Sequence, residues 1–207
     1  MLIGVKKRFI FIACSKTAST SIETALTPYA EINCAATPQR KHIIWKEARK
    51  EYGFLFDIDI YNPKSFFKFG VVREPVEWII SWYNYRHMNK SLPNPLPEDM
   101  TFEQFWNSDD WVKKKTQKSH FSGNDGICRF DLIIPHEKVN QAFPIVVKYL
   151  KLGEATLPHK NKSPIKKIVR SNLDPEIVSK INTYYQQDFD FWTEWQEKID
   201  ASLENLK

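Results

Sequence analysis

The sequence predicts an α/β fold in which a central parallel sheet is flanked by helices. Three observations carry this. Short apolar runs, "RFIFIAC" (8–14), "FFKFGVV" (66–72) and "FDLIIP" (130–135), recur along the 207 residues. They are mostly apolar rather than alternating, as strands buried on both faces are. The stretches between them have helical periodicity, which makes the strand–helix alternation of a parallel sheet. No internal repeat or low-complexity segment interrupts the pattern, and the length suits one domain spanning residues 1–207.

In order, residues 8–14 read as a buried strand and 19–27 as a helix, with Thr20 and Glu23 at capping-box spacing. "EINCAA" reads as a further strand, and residues 42–52 as a helix closed by Gly53. After the 66–72 strand, Pro75 opens a helix whose apolar face holds Val76, Ile79, Ile80 and Tyr83. A proline-rich loop (91–99) leads to a helix capped from Thr101 to Gln104. The 130–135 strand precedes a helix over 138–151, a basic loop over 157–167 and a final helix over 175–196. The expected core face of that last helix is Ile177, Val178, Ile181, Tyr184 and Tyr185.

Composition sets limits on function. The chain is 42% hydrophobic and 14% aromatic, enough for a core and unlike a disordered chain. It has no apolar run of about 18 residues, as a membrane span requires, and "MLIGVKKRFIFIACSK" lacks the charge order of a signal peptide. The expectation is a soluble, cytoplasmic protein. The three cysteines (14, 34 and 128) have neither disulfide-framework nor zinc spacing, and read as buried thiols. Net charge is +5, but the last twenty residues hold six acids against two lysines, so the remainder is more basic. "KKKTQK" (113–118) and "HKNKSPIKKIVR" (159–170) contain no acid, which makes an anionic ligand plausible, although lysine runs more often form solvated surface.

"SKTAST" (15–20) lies where the first strand ends and the first helix begins. A helix N-terminus offers free N–H groups and partial positive charge. Lys16 adds a full charge, and Thr17, Ser19, Thr20 and Ser21 add hydroxyls around Ala18. Helix capping accounts for one hydroxyl, not four beside a lysine. A nucleoside triphosphate loop would read G-x-x-x-x-G-K-[ST]; here the lysine comes first and glycine is absent. No apolar strand clearly ends in an Asp for magnesium. The second stretch is "VVREPVEWIISWY" (71–83), with Arg73 at a strand end and Ser81 about 140° around the helix from Val76. An arginine grips phosphate with a fork of bonds, but this one alone reads equally as a surface arginine paired with Glu74 or Glu77. Because ligands sit at the carboxyl ends of parallel strands, the loop and Arg73 should share one rim.

Together the two stretches resemble the sulfotransferases that use PAPS (3′-phosphoadenosine 5′-phosphosulfate). The closer likeness is to the carbohydrate branch that includes heparan sulfate 2-O-sulfotransferase, and to its bacterial members. "CSKTASTSIETAL" resembles that family's 5′-phosphosulfate loop, and Arg73, Pro75 and Ser81 keep the spacing of its 3′-phosphate motif. "RKHIIWKEARKEYG", "ICRFDLIIP" and "LPHKNKS" resemble further bacterial segments, and the five motifs fall in order over residues 8–190. Two positions depart from the pattern: Ser15 replaces a proline and Asp131 replaces a glutamate. Residues 87–125 match little, so the acceptor is not identified.

The resemblance implies a P-loop-like fold and PAPS as cofactor, with PAP as product and no metal. Lys16, Thr17, Ala18, Ser19, Thr20 and Ser21 would hold the 5′ end, Arg73 and Ser81 the 3′-phosphate, and Lys160 and Lys162 would close over the cofactor. Lys16 would stabilise the leaving phosphate, and His42 is the favoured base, with Glu47 as runner-up. His159 reads as cofactor-side or structural, and His87, His120 and His136 as surface or loop residues. The implied partner is a hydroxyl or amine acceptor, most often a saccharide, with no nucleic acid expected. Two other classes compete: a metal-dependent P-loop kinase, and a non-enzymatic module binding polyanion through Lys113–Lys118 and Lys160–Lys167.

Overall fold

The charged triplet Lys6-Lys7-Arg8 interrupts an apolar stretch because the chain turns there. The computed structural model describes residues 1–34, 36–158 and 167–207. It places strand β1 (Leu2–Gly4) before the turn and β2 (Phe9–Ile12) after it, paired antiparallel with Gly4 opposite Phe9. Gly4 makes room for the Phe9 ring, since a Cβ at that position would sit 2.2 Å from it. β3 (Ile32–Asn33) pairs antiparallel with β1 at the sheet edge. β4 (Phe67–Val72) and β5 (Leu132–Pro135) complete the order β3-β1-β2-β4-β5. β2, β4 and β5 run parallel, with Ile12 opposite Gly70 and Val72 opposite Pro135. The expected parallel sheet therefore forms, extended by a hairpin strand and an edge strand that make it mixed.

The helices among the described residues are α1 (Ser19–Leu26), α2 (Pro38–Lys41), α3 (Trp45–Glu51), α4 (Gly53–Phe56), α5 (Pro75–Met88), α6 (Phe102–Asn107), α7 (Lys118–Phe121), α8 (Val139–Tyr149), α9 (Pro175–Tyr184) and α10 (Gln186–Glu204). Residues of α1, α3, α4, α8 and α10 join the strands in one core, where Phe11 and Phe69 rings stand 5.1 Å apart. Residues of α5, α6 and α9 form a second cluster around Trp78, Tyr83, Phe105 and Tyr185. Gly70 lets α7 approach β4, because a Cβ there would lie 2.2 Å from the Phe121 ring. No described helix is long and apolar enough to cross a membrane.

Several expectations are corrected. Thr20 and Glu23 do not form a capping box; α1 begins from Ala18 with no side-chain cap, while the Thr101–Gln104 box does form. The helix expected over 42–52 is shorter, α3 starting only at Trp45, and His42 lies in the break between α2 and α3 instead of opening a helix. The helix expected over 175–196 breaks at Tyr185, whose buried hydroxyl donates to the Lys113 carbonyl. Tyr184 consequently leaves the core and is 54% exposed. Asp131 serves the fold: its carboxylate accepts from Lys68 Nζ (2.9 Å) and Lys68 N (2.7 Å) at the start of β4 and β5.

Candidate active site

The ends of β2 and β4 are neighbours, so the loop after β2 and Arg73 after β4 lie on the same rim. Three successive carbonyls of the loop are each pinned by a side chain. Ala13 O lies 2.7 Å from His42 Nδ1, Cys14 O accepts from Thr17 Oγ1 (2.8 Å), and Ser15 O accepts from the buried Trp78 Nε1 (2.8 Å). The indole bond thus restrains the position where Ser15 stands in place of a ring-locked proline. Lys16 and Ala18 adopt left-handed backbone (φ 65° and 61°), so residues with side chains take the conformation that nucleotide loops give to glycine. That costs about 1–2 kcal/mol per residue, a strain typical of binding loops. In the first turn of α1, Ser21 N donates to Ala18 O (3.1 Å), whereas the amides of Ser19 and Thr20 meet neither a side-chain cap nor an acidic neighbour among the described residues, which leaves those two available to an anion.

The side chains of this loop divide. Thr17 is fully buried and spends its hydroxyl on Cys14. Thr20 accepts from Lys41 Nζ (3.1 Å), and Lys41 also pairs with the buried Glu23 (3.0 Å). Ser19 and Ser21 are buried in the first turn. Lys16 Nζ lies 3.6 Å from the centre of the Tyr85 ring and has no carboxylate partner among the described residues. Burial, helped by the positive charge of Arg73, lowers its pKa to about 8.

Arg73 is clipped at its backbone. Its N–H donates to Gln117 Oε1 (2.9 Å) and its carbonyl accepts from Gln117 Nε2 (2.6 Å). Gln117 is fully buried, and its own N–H donates to Asp188 Oδ2 (2.7 Å) on α10, whose other oxygen takes Lys118 N (2.9 Å). Burial of Asp188 raises its carboxyl pKa, opposed by these amide bonds. The Arg73 guanidinium donates to Glu77 Oε2 (3.2 Å), the surface-type pairing that the sequence left open. Burial lowers the Arg73 pKa against the pull of Glu77, Glu74 and Glu137. A cleft of about 340 Å³ beside it is lined by Arg73, Glu74, Glu77, His136 and Glu137, so an anion there must displace Glu77. Glu74, also in the cleft wall, caps Glu77 N (2.8 Å) and pairs with Arg170 (3.0 Å).

Between Pro75 and His87 of α5, only Glu77, Ser81 and Tyr85 are half-open; the rest are buried. Their four-residue spacing lines them up along one face, from Arg73 to the ring beneath Lys16. The expected apolar stripe is correspondingly wider, taking in Trp78 and Trp82.

His42 Nδ1 faces a carbonyl, which only accepts, so Nδ1 carries the proton and Nε2 keeps its lone pair. Burial, reinforced by the charge of Lys41, drops its pKa to about 4 despite the carbonyl bond. His120, expected at the surface, is buried and shows the same pattern, with Nδ1 at 3.1 Å from Thr116 O and a pKa lowered to about 4 by burial. A charge on His120 opposes one on His42, so the two share a neighbourhood. His87 is also buried, against Met100 O (3.0 Å), while His136 is half-buried in the Arg73 cleft. Glu47 is exposed on the first turn of α3. Lys160, Lys162 and His159 lie outside the described residues. The chain after them is fixed to α5, where Asn84 exchanges two bonds with Ile168 (2.8 and 3.0 Å).

Sequence reasoning missed Gln117, Asp188, Trp78, Tyr85 and His120. Tyr85 alone had a readable signal, since it falls four residues after Ser81 on the same helix. A family model described as "Sulfotransferase family" matches residues 1–193. No curated protein and no solved structure matches the chain. With the match covering nearly all of its length, the chain belongs to the sulfotransferase family.

Proposed function

We propose that this protein transfers a sulfuryl group from PAPS to a hydroxyl or amine acceptor of carbohydrate type, as in the heparan sulfate 2-O-sulfotransferase-like branch. The observation that supports it best is the half-buried Lys16 ammonium, without a carboxylate partner among the described residues, beside the start of α1, which has no side-chain cap. That donor set fits a phosphosulfate, because a half-buried cation and the amides of Ser19 and Thr20 together favour a bound anion. Bound there, PAPS would supply the activated sulfuryl group.

The chain's own part is positioning and charge. Lys16 and the first-turn amides neutralise negative charge gathering on the leaving phosphate. Ser19, Thr20 and Ser21 border the same turn, with Thr17 and Ala18 shaping it. Arg73, released from Glu77, and Ser81 receive the 3′-phosphate, and Lys160 and Lys162 belong to the segment that would close over the cofactor. His42 takes the acceptor's proton at Nε2, with Nδ1–H held by Ala13 fixing the tautomer. Its low pKa keeps that nitrogen unprotonated at neutral pH, at the cost of weak basicity.

Thermal denaturation with PAP or with ATP and Mg²⁺ tests this reading against the kinase alternative. PAP at 100 times its Kd adds about 2.7 kcal/mol of stability, and thus raises Tm by about 5–10 °C. Lys16→Ala should abolish that shift, while His42→Gln should keep it and lose sulfuryl transfer. A shift with ATP and Mg²⁺ and none with PAP would overturn the proposal.

A further inference from the structure

The lysine run 113–118 does not behave as one solvated patch. Lys113 Nζ donates to the Trp106 and Ser108 carbonyls (2.7 Å each), Lys114 pairs with Asp109 in the open, and Lys115 rests 4.4 Å from the centre of the Trp111 ring. The main chain of the run is tied down at the break between α9 and α10. Tyr185 Oη donates to Lys113 O (3.1 Å), and Asp188 takes the N–H groups of Gln117 (2.7 Å) and Lys118 (2.9 Å). Asp188 is 1% exposed, and these two amides are the hydrogen-bond partners of its carboxylate among the described residues. Burying a carboxylate is costly, and here both of its bonds hold one short stretch of backbone.

What that stretch carries is the Gln117 side chain. The strands beside β4 stop before Arg73: β2 ends at Ile12, opposite Gly70, and β5 ends at Pro135, opposite Val72. Arg73 therefore leaves the sheet with no strand to take its main-chain N–H and C=O. The Gln117 amide takes both, Oε1 accepting at 2.9 Å and Nε2 donating at 2.6 Å. Arg73 has reason to move, because Glu77, Glu74 and Glu137, all in the cleft wall, pull on its guanidinium. A main chain held at both groups limits how far it can follow them. The Lys16 loop is fixed separately, by His42, Thr17 and Trp78, through bonds in which Gln117 has no part.

We infer that Gln117, anchored by Asp188, is a positioning residue that makes the site selective for nucleotides carrying a 3′-phosphate. Gln117 does not touch the ligand. It holds the Arg73 backbone where the guanidinium can meet a 3′-phosphate in place of Glu77. This role rests on the sulfuryl-transfer reading, which assigns that phosphate to Arg73.

The test is isothermal titration with PAP and with adenosine 5′-monophosphate (AMP), which lacks only the 3′-phosphate. Gln117→Met keeps the side chain's length and removes both amide groups. It should cut PAP affinity about tenfold or more and leave AMP affinity unchanged, so that the preference for PAP collapses. Asp188→Asn, which keeps one acceptor oxygen, should lower the same ratio by a smaller factor, and it decides the matter if Gln117→Met does not fold. In Arg73→Ala protein, Gln117→Met should change PAP affinity no further, since the residue acts through Arg73. An unchanged ratio, equal losses for both ligands, or a further loss in Arg73→Ala protein would sink this inference alone. Wild-type protein that binds PAP no tighter than AMP would take Arg73 from the 3′-phosphate, and the inference with it. Failure of the wild type to bind PAP at all would remove the sulfuryl-transfer reading itself.

Discussion

The ammonium of Lys16 is charged at neutral pH with little to spare, because burial and Arg73 hold its pKa near 8. An anion held by that charge is released when the proton leaves. PAP affinity should therefore be flat from pH 6 to 7 and fall by up to about tenfold per pH unit above 8. Part of that decline will move to higher pH, since a bound anion favours the protonated amine. Lys16→Arg should flatten the profile; isothermal titration across pH 6–10 decides it, and a flat wild-type curve would remove Lys16 from the anion site. Arg73 presents a different balance. Glu77 occupies its guanidinium, so Glu77→Gln should tighten PAP binding several-fold even though it removes an ion pair.

At the scale of elements, the site is assembled by contacts that cross the chain. Trp78 on α5 reaches the Ser15 carbonyl, and Gln117, just before α7, forms two bonds to the Arg73 backbone as a strand would. α7 can lie close to β4 only because residue 70 has no side chain. Gly70→Ala would press a methyl into the Phe121 ring, push α7 outward and shift His120 and Gln117 with it. The expected cost is about 1–3 kcal/mol of stability, together with weaker PAP binding. Urea denaturation measures the first and titration the second. Phe121→Leu in the same chain should restore part of both, and unchanged stability would show that α7 yields without cost.

For the molecule as a whole, the buried histidines set the acid limit. His42 and His120 have pKa values lowered to about 4, against about 6.5 in an unfolded chain. Below pH 6.5 the unfolded state binds protons that the folded state refuses, so stability falls as pH drops from about 6.5 to 4 and is fully present above that window. Each histidine contributes up to about 3 kcal/mol to the loss. His87, also lowered by burial, acts in the same direction. Urea midpoints between pH 4 and 7.5 should show the slope, and His120→Gln should reduce it. A pH-independent midpoint would mean these imidazoles are not buried neutral.

By itself the sequence determined the alternation of strands and helices, because a strand buried on both faces is almost continuously apolar, as 66–72 is apart from Lys68. It also determined that the Lys16 loop and Arg73 lie on one rim, since two parallel strands that pair side by side end together. Local chemistry was readable where its cause is local: Pro75 at the start of α5 and the Thr101–Gln104 capping box. What depended on distant partners was decided only by the tertiary structure. Thr20 turned to Lys41 instead of capping, His120 went from surface to interior, and Lys113, Lys114 and Lys115 went three ways. A hydroxyl, an imidazole or an ammonium takes whichever partner packing brings within about 3 Å, and nothing in the spacing of a single chain states which partner that will be.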